Sequence, residues 1–430
     1  MKYNITFYLI GIALSINAQT KSIKNTPLLT EGLPANVGMS ADRLARIESM
    51  CTVAIDKGEV PGIVVLVARQ GKIVLYKAYG KADIQSGRKL KRDDIFRIAS
   101  QSKAITATAV MMLWEEGKIK LDDPISKYLP EFRNPKVLKS FQYKDSSFTS
   151  TPASKEITIR QLLNHTSGIG YGVIDGDERF KMIYQKAGVT DAFTVENVKI
   201  GENIKRLAKL PLHHNPGEKF TYSEGLDVLG YLIEVVSEMP FDQYLRKHLF
   251  DPLGMNDTWF YLPEEKADRL VSVQQVNEKG EWIRCPSTFY DPDYPIKGAK
   301  SFFSGGAGLS STAKDYANFL QMFLNGGELN GVRILSRTTI RTILSNQTGD
   351  IWGSPEQFFG LAFAVVTQRG EEKGELGSAG TFEWGGYFNT QYFADPKEKI
   401  IGIIMKQTEG PTNDNTGWKF RQLVGQSLDD

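Results

Sequence analysis

The sequence predicts an α/β protein, more narrowly an α+β fold, in which both ends of the chain form one antiparallel sheet. Runs rich in valine, isoleucine and tyrosine occur near the start, at 62–68 and 72–79, and again towards the end, at 360–405. Between them, from Ser100 to about Asn346, helical segments alternate with long loops. This order predicts a sheet with flanking helices and an inserted all-helical subdomain.

Local signals place the individual elements at the two ends of the chain. Ser40 can cap a first helix, which Gly58 and Pro61 would end. The short turn Gln70-Gly71 pairs the first two strands antiparallel. The later elements are predicted as strands at 360–368, 381–385, 390–394 and 400–405, followed by a closing helix at 418–428.

Length and composition favour one large domain that acts on a small partner. The 430 residues are 41% hydrophobic, which is enough for a large core. A formal charge of +2 gives no field that would gather nucleic acid or an anionic membrane surface. We predict a single domain over 19–430, with a sheet subdomain at about 40–98 and 355–430 and a helical subdomain at about 99–354.

The first eighteen residues have the pattern of a secretory signal peptide. Lys2 precedes an apolar run from Ile5 to Ile16, and the small residue Ala18 is followed by polar residues. The run is too short to anchor the chain stably in a membrane. We therefore expect cleavage after Ala18 and an exported protein, either periplasmic or secreted, with no stable membrane anchor.

Two cysteines leave a choice between a disulfide and two buried thiols. Cys51 and Cys285 could pair in an exported protein. Cys51, however, lies on an apolar stripe with helical spacing, which favours a small buried side chain.

A serine followed three residues later by a lysine precedes a strongly apolar helix. Ser100 would lie at the N-terminus of this helix, with Lys103 on the same face. Burial of a lysine disfavours its charged form and lowers its pKa, so Lys103 could accept the hydroxyl proton of Ser100. The same spacing at 86–89 reads as a loop, and at 311–314 as an ordinary helix cap. From local sequence alone, Ser100 could equally be a structural cap.

Several separate motifs resemble one known family. They are FRIASQSK at 96–103, ITIRQLLNHTSG at 157–168, NPGEKFTYS at 215–223, LDVLG at 226–230, DPLGM at 251–255, GGAGL at 305–309 and WGG at 384–386. In this order they resemble the serine β-lactamase and penicillin-binding family, within it the class C β-lactamases and more closely the family VIII carboxylesterases. The resemblance implies the β-lactamase/transpeptidase fold.

The resemblance also implies roles for particular residues. Ser100 would be the nucleophile, and Lys103 and Tyr222 would handle its proton. The backbone N–H groups of Ser100 and Tyr387 would form the oxyanion hole. Glu224 stands where the family often has asparagine. We expect its carboxylate to pair with Lys103 and to keep the lysine protonated.

The third motif of the family departs from the β-lactamase pattern. Trp384, Gly385 and Gly386 stand where β-lactamases usually have Lys-Thr-Gly, so the cation that would bind a β-lactam carboxylate is missing. Trp384 instead supplies an apolar wall, and the glycines let an acyl substrate approach the strand. Uncharged acyl esters fit this arrangement better than β-lactams do.

Other chemistries find little support in the sequence. It has no G-x-S-x-G motif, and no metal-binding or nucleotide-binding pattern, so we expect no cofactor and no metal. His165 is interpreted as a loop-ordering residue, and no acid at a telling spacing pairs with His213 or His214.

We therefore predict a serine hydrolase that acts through an acyl-enzyme on small acyl esters, a carboxylesterase. The alternatives are a β-lactamase or D-alanyl-D-alanine peptidase and, from another class, a penicillin-recognising receptor without turnover. The loops at 136–152 and 285–304 are expected to form the pocket walls.

Overall fold

A sheet formed from both ends of the chain lies at the centre of the protein. The computed structural model describes residues 20–374, 377–410 and 413–430, so the predicted signal peptide lies outside the described residues. The strands of this sheet are β1 (Thr30–Glu31), β2 (Gly62–Arg69), β3 (Lys72–Gly80), β4 (Gln357–Phe359), β5 (Ala364–Val366), β6 (Phe382–Gly386), β7 (Thr390–Asp395) and β8 (Ile400–Met405). Among the described residues their order is β4-β5-β6-β7-β8-β2-β3-β1.

The two ends of the chain meet where β8 pairs antiparallel with β2. Ile401 lies opposite Ala68, and Ile404 lies opposite Val65. β2 is buried along its whole length, as its continuous run of apolar residues requires. All neighbouring strands are antiparallel except β1, which pairs parallel with β3. The predicted sheet from both termini is confirmed.

The turn between β2 and β3 has the conformation that its residues predict. Gln70 and Gly71 both have positive φ, 52° and 79°, which matches the twist of a two-residue hairpin. At the start of the chain, the Ser40 side chain accepts a hydrogen bond from the backbone N–H of Arg43 and caps the first helix.

Helices cover both faces of the sheet. They are α1 (Ala41–Asp56), α2 (Ser102–Glu115), α3 (Ile159–Leu163), α4 (Glu178–Ala187), α5 (Ile200–Leu207), α6 (Gly225–Ser237), α7 (Phe241–Leu245), α8 (Tyr294–Lys297), α9 (Ala313–Leu324), α10 (Arg337–Ile343), α11 (Gln368–Lys373) and α12 (Thr416–Gln426). α1 and α12 pack on one face. α9 packs on the other face, where α2 and α6 extend the core.

Two details of the sequence prediction are wrong. The middle of the chain is not all-helical, because it contains one hairpin of Lys136–Gln142 with Ser147–Pro152 and a second of Gln274–Val276 with Trp282–Arg284. The strand predicted at 360–368 shrinks to β5. Its apolar run is interrupted by a left-handed residue before β5, and a threonine after β5 caps α11.

The described residues also show the state of the two cysteines and whether any helix could span a membrane. Cys51 and Cys285 are both free and buried, so the possible disulfide is not formed. In the described part of the chain, no helix is both long and apolar enough to cross a membrane.

Candidate active site

Ser100 lies in a strained turn that leads into the buried helix α2. The preceding Ala99 has a φ of 43°, a conformation that a residue with a side chain rarely adopts. The turn 99–101 is a 3₁₀ turn, and α2 follows directly with every residue from 102 to 113 buried. The packed helix fixes the turn, and Ser100 stays partly accessible at its surface.

Lys103 is buried beneath Ser100 and contacts groups from three parts of the chain. Its Nζ atom is 3.4 Å from the Oγ atom of Ser100. It donates shorter hydrogen bonds of 2.8 Å to the hydroxyl of Tyr171 and to the carbonyl oxygen of Gly306. These contacts compensate for the burial of the ammonium group and direct it at the serine.

Tyr222 contacts Lys103 through its ring rather than through its hydroxyl. The Nζ atom of Lys103 lies 4.6 Å from the centre of the Tyr222 ring. The indole N–H of Trp384 donates to the Tyr222 hydroxyl at 3.3 Å. The structure thus joins Ser100, Lys103, Tyr222 and Trp384 through successive contacts. The indole N–H and the ammonium group both lie against this tyrosine.

Tyr171 is a site residue that the sequence reasoning missed. Its ring packs 5.6 Å from that of Tyr222. Burial, and after it the nearby Tyr222 hydroxyl and acidic side chains, raise the pKa of Tyr171 well above its usual range. The phenol therefore stays neutral and serves to hold Lys103. Its position in an irregular loop left no periodic signal; only its place three residues after the motif at 157–168 could have pointed to it.

A histidine and an aspartate fix the loop that carries Tyr171. The Oδ2 atom of Asp175 accepts the backbone N–H of Tyr171 at 2.8 Å, and it lies 3.0 Å from the Nε2 atom of His213. No sequence spacing pointed to this acid, because Asp175 lies 38 residues from His213 and a loop brings the two together. The His213 ring stacks on Phe180, so the pair supports the loop.

The other predicted loop residue, His165, has a structural environment. It is fully buried, and its Nδ1 atom lies 3.0 Å from the hydroxyl of Ser223. Burial, and then the charge of Lys103, lower its pKa well below the ordinary value, so the ring is neutral. The interpretation of His165 as a loop-ordering residue agrees with these contacts.

Strand β6 brings the third motif against the nucleophile turn. A Cβ atom at Gly386 would lie 2.4 Å from the carbonyl oxygen of Ile98 and 2.3 Å from the Oγ1 atom of Thr390, so only glycine fits. A Cβ atom at Gly385 would meet nothing closer than 3.3 Å. Tyr387 follows directly and lines the same pocket as Ser100, as an oxyanion N–H requires.

Glu224 does not pair with Lys103, so that hypothesis is wrong. Its carboxyl group is buried at the start of α6 and shares a hydrogen bond with Asp191. Burial, and then this bond to Asp191, raise the pKa of Glu224 well above its usual range. The acid near Lys103 is Asp227, one turn further along α6, which accepts the backbone N–H of Gly306 at 3.3 Å.

A narrow, mostly apolar pocket opens over the nucleophile. Its described lining consists of Ala99, Ser100, Tyr171, Ile174, Asp191, Ala192, Phe193, Phe289, Ala307 and Tyr387. Of the two loops expected to form its walls, 285–304 contributes Phe289, whereas 136–152 forms an outlying hairpin and contributes nothing to this set. Within the described ranges, no group of three or more His, Cys, Asp or Glu residues is placed to hold a metal ion.

The fold agrees with what known proteins show. Residues 47–426 match the family model described as Beta-lactamase, and the chain belongs to this family. It is a serine hydrolase with a β-lactamase/transpeptidase-like fold.

Its similar proteins include enzymes named as esterases. Esterase EstB of Burkholderia gladioli is 31% identical over 388 residues, which cover 86% of this chain and 91% of that protein. A putative D-alanyl-D-alanine carboxypeptidase of Escherichia coli K12 is 26% identical, over 92% of this chain and 88% of its own. The solved structure of EstCE1, a hydrolase with promiscuous acyltransferase activity, superposes with a TM-score of 0.75 at 27% identity, covering 89% of this chain and 98% of its own.

Proposed function

We propose that this serine hydrolase is a carboxylesterase that cleaves small acyl esters through an acyl-enzyme on Ser100. The observation that carries the proposal is the pocket over Ser100, whose walls are mainly alanine and aromatic side chains. The similar esterase EstB and the hydrolase EstCE1 support the same reaction class. Trp384, at the position of the usual lysine of the third motif, leaves no cation there to bind a substrate carboxylate.

The contacts around Ser100 support a two-step acyl transfer. The Oγ atom of Ser100 attacks the ester carbonyl carbon while its proton passes to the Lys103 and Tyr222 pair, and the oxyanion faces the N–H groups of Ser100 and Tyr387. The tetrahedral intermediate collapses as the C–O bond to the alcohol breaks, and the alcohol leaves with that proton. A water molecule then attacks the acyl-enzyme, gives up a proton to the same pair, and releases the acid as Ser100 regains its hydroxyl.

A peptidase or β-lactamase activity is the second candidate, since one similar protein has a carboxypeptidase name. Such substrates end in a carboxylate close to the scissile bond. In this chain the pocket presents the carboxylate of Asp191 instead of a cation. Like charges in a partly buried site repel each other, so we place the ester ahead of the peptide and the β-lactam.

Hydrolysis of 4-nitrophenyl acetate and butyrate, measured beside nitrocefin, tests the proposal. The protein from residue 19 onwards should turn over both esters, and the Ser100→Ala variant should lose at least about 10³-fold in kcat. Nitrocefin should react slowly or not at all. Fast nitrocefin turnover would move the protein to the β-lactamases. A stable adduct on Ser100 without turnover would instead show a receptor.

We also propose that the protein is exported, either periplasmic or secreted. The support is the charged and apolar pattern of residues 1–18. Expression of the full chain in a bacterial host, followed by N-terminal sequencing of the protein outside the cytoplasm, should give a start at Gln19.

A further inference from the structure

Asp191 is the only formally charged side chain in the described lining of the Ser100 pocket. Its Oδ1 atom accepts the backbone N–H of Gly172 at 3.0 Å, and its Oδ2 atom accepts that of Val173 at 2.6 Å. These two bonds fix the carboxylate in the pocket wall without neutralising it. The nearby His213 pairs with Asp175 and not with Asp191.

The acid beneath Asp191 adds no second charge. Glu224 is fully buried, and burial, with its hydrogen bond to Asp191 after it, raises its pKa well above the usual range, so Glu224 is the acid that favours its protonated form and can donate to Asp191. Among the described residues Lys103 forms no ion pair with Asp191: its Nζ atom is held by the Tyr171 hydroxyl and the Gly306 carbonyl, and Lys103 is not among the lining residues.

Aromatic side chains form much of the remaining wall. Tyr171 and Phe193 are buried, whereas Phe289 and Tyr387 are 39% and 40% exposed at the mouth. The faces of aromatic rings attract a cation, and the attraction grows as water is excluded. A carboxylate without a cationic partner among several aromatic rings is a combination that suits an ammonium group.

We propose that this pocket binds an ammonium group of the substrate, with Asp191 as the residue that determines specificity. The inference rests on the proposed esterase function and narrows its substrate class to esters that carry a positively charged ammonium group near the carbonyl. An ester with a carboxylate at the same place would be a poor substrate, because it would face the charge of Asp191.

Two pairs of esters with matched shapes test this inference and distinguish the two sides of the ester bond. On the acyl side, 4-nitrophenyl 4-(trimethylammonio)butanoate is compared with 4-nitrophenyl 5,5-dimethylhexanoate. On the alcohol side, acetylcholine is compared with 3,3-dimethylbutyl acetate. Each pair differs by a charged nitrogen in place of a carbon atom. In at least one pair, kcat/KM should be about 10-fold or more higher for the cation.

The Asp191→Asn variant, which keeps one acceptor oxygen, should lower this preference to about 2-fold or less. The neutral ester should remain a substrate of that variant. Asp42→Asn is the matched control, because it removes the same charge from an exposed position on α1 and should leave the preference unchanged. In the wild-type protein, raising NaCl from about 20 mM to about 500 mM should weaken the preference without any substitution.

Equal kcat/KM within both pairs for the wild type would overturn the inference and leave the esterase intact. A cation preference that survives unchanged in Asp191→Asn, or that high salt does not reduce, would overturn it as well. Loss of turnover for all four esters would overturn the esterase proposal itself.

Discussion

Lys103 lies between two tyrosines whose surroundings give them different tasks. Tyr171 is buried and its hydroxyl accepts a hydrogen bond from Lys103, whereas Tyr222 is half-buried and contacts Lys103 through its ring. The neutral phenol of Tyr171 holds the ammonium group in place. We therefore expect Tyr222 to be the tyrosine that exchanges a proton with the substrate in the proposed mechanism.

Phenylalanine at each tyrosine should separate these tasks. Tyr222→Phe should lower kcat for 4-nitrophenyl butyrate by about 10²-fold to 10⁴-fold, because it removes a proton-transferring group. Tyr171→Phe should cost only about 10-fold, because Lys103 keeps its bond to Gly306. Steady-state kinetics of both variants checks this. A larger loss in Tyr171→Phe than in Tyr222→Phe would reverse the assignment.

Glu224 should make the stability of the protein depend on pH. Its pKa is raised above the ordinary value of 4.5 by burial and by Asp191, so the folded state holds this proton more tightly than the unfolded state. The contribution of Glu224 to stability is complete below about pH 4.5 and is lost as pH rises towards the folded pKa. The Glu224→Gln variant cannot ionise and should escape this loss.

Urea unfolding between pH 5 and pH 8 measures the effect. The free energy of unfolding of Glu224→Gln should rise relative to wild type by up to about 1.4 kcal/mol per pH unit. Glu224→Ala is the control, and it should be less stable than Glu224→Gln at every pH because Asp191 loses its donor. Parallel pH curves for wild type and Glu224→Gln would contradict the account.

Site residues could be predicted from the sequence where they lie on one helix, and not where separate parts of the chain bring them together. Ser100 and Lys103 share one helix, so their spacing and the apolar residues after them are visible locally. Tyr171, Asp191 and Asp227 meet only after loops and helices fold together, and no period or motif links them. Glu224 was found by position, but its partner was wrongly predicted because the side-chain direction depends on the packing of α6.

At the scale of elements, β6 and the turn before α2 must approach each other closely. In this contact the backbone of Gly386 packs against the carbonyl group of Ile98. Tyr387, which follows Gly386, lines the same pocket as Ser100, and in the proposed mechanism the backbone N–H groups of these two residues bind the oxyanion.

Alanine at Gly386 should disturb this contact. Because its Cβ atom would overlap backbone and side-chain oxygens, kcat/KM for 4-nitrophenyl butyrate should fall by about 10²-fold and stability by about 1–3 kcal/mol. Gly385→Ala is the matched comparison, because its nearest neighbour would lie 3.3 Å away rather than in overlap, and its loss should be much smaller. Equal losses in the two variants would show that the close contact is not what matters.

Strands could be predicted from the sequence where burial of apolar side chains dominates their stability. Buried strands such as β2 and β8 consist of apolar, β-branched residues, so their sequences suffice. The hairpin at 136–152 was missed because its strands are largely exposed and polar, and exposed strands lack the period that burial imposes. Its two strands stabilise each other through pairing that the local sequence does not show.

At the scale of the whole molecule, the C-terminal helix is tied to the sheet by a buried ion pair. Lys406, just after β8, contacts the carboxylate of Asp414 and donates to the hydroxyl of Thr416 at 2.9 Å. Both charged groups are almost fully buried, with 1% and 2% of their side chains exposed. The pair thus joins the last strand to the start of α12.

Breaking one side of this pair should destabilise the fold strongly. Lys406→Met leaves the Asp414 carboxylate buried without its cation, which should cost about 3–5 kcal/mol of unfolding free energy. Adding Asp414→Asn removes the stranded charge and should recover part of that loss. Urea unfolding of the single and double variants measures both effects. A single variant as stable as wild type would show that the pair does not hold α12.

The overall topology could be predicted because strand signals at both ends of the chain leave few ways to form one sheet. The pocket could not, because its wall comes from loops at 171–174, 191–193 and 289 that meet only in the folded protein.

The proposed mechanism requires that an ester acylates Ser100. Rapid quenching of the protein with 4-nitrophenyl butyrate, followed by mass spectrometry of its peptides, tests it directly. One butyryl group is expected on the peptide that contains Ser100, and none in Ser100→Ala. Turnover without such an adduct, or an adduct on another residue, would contradict it.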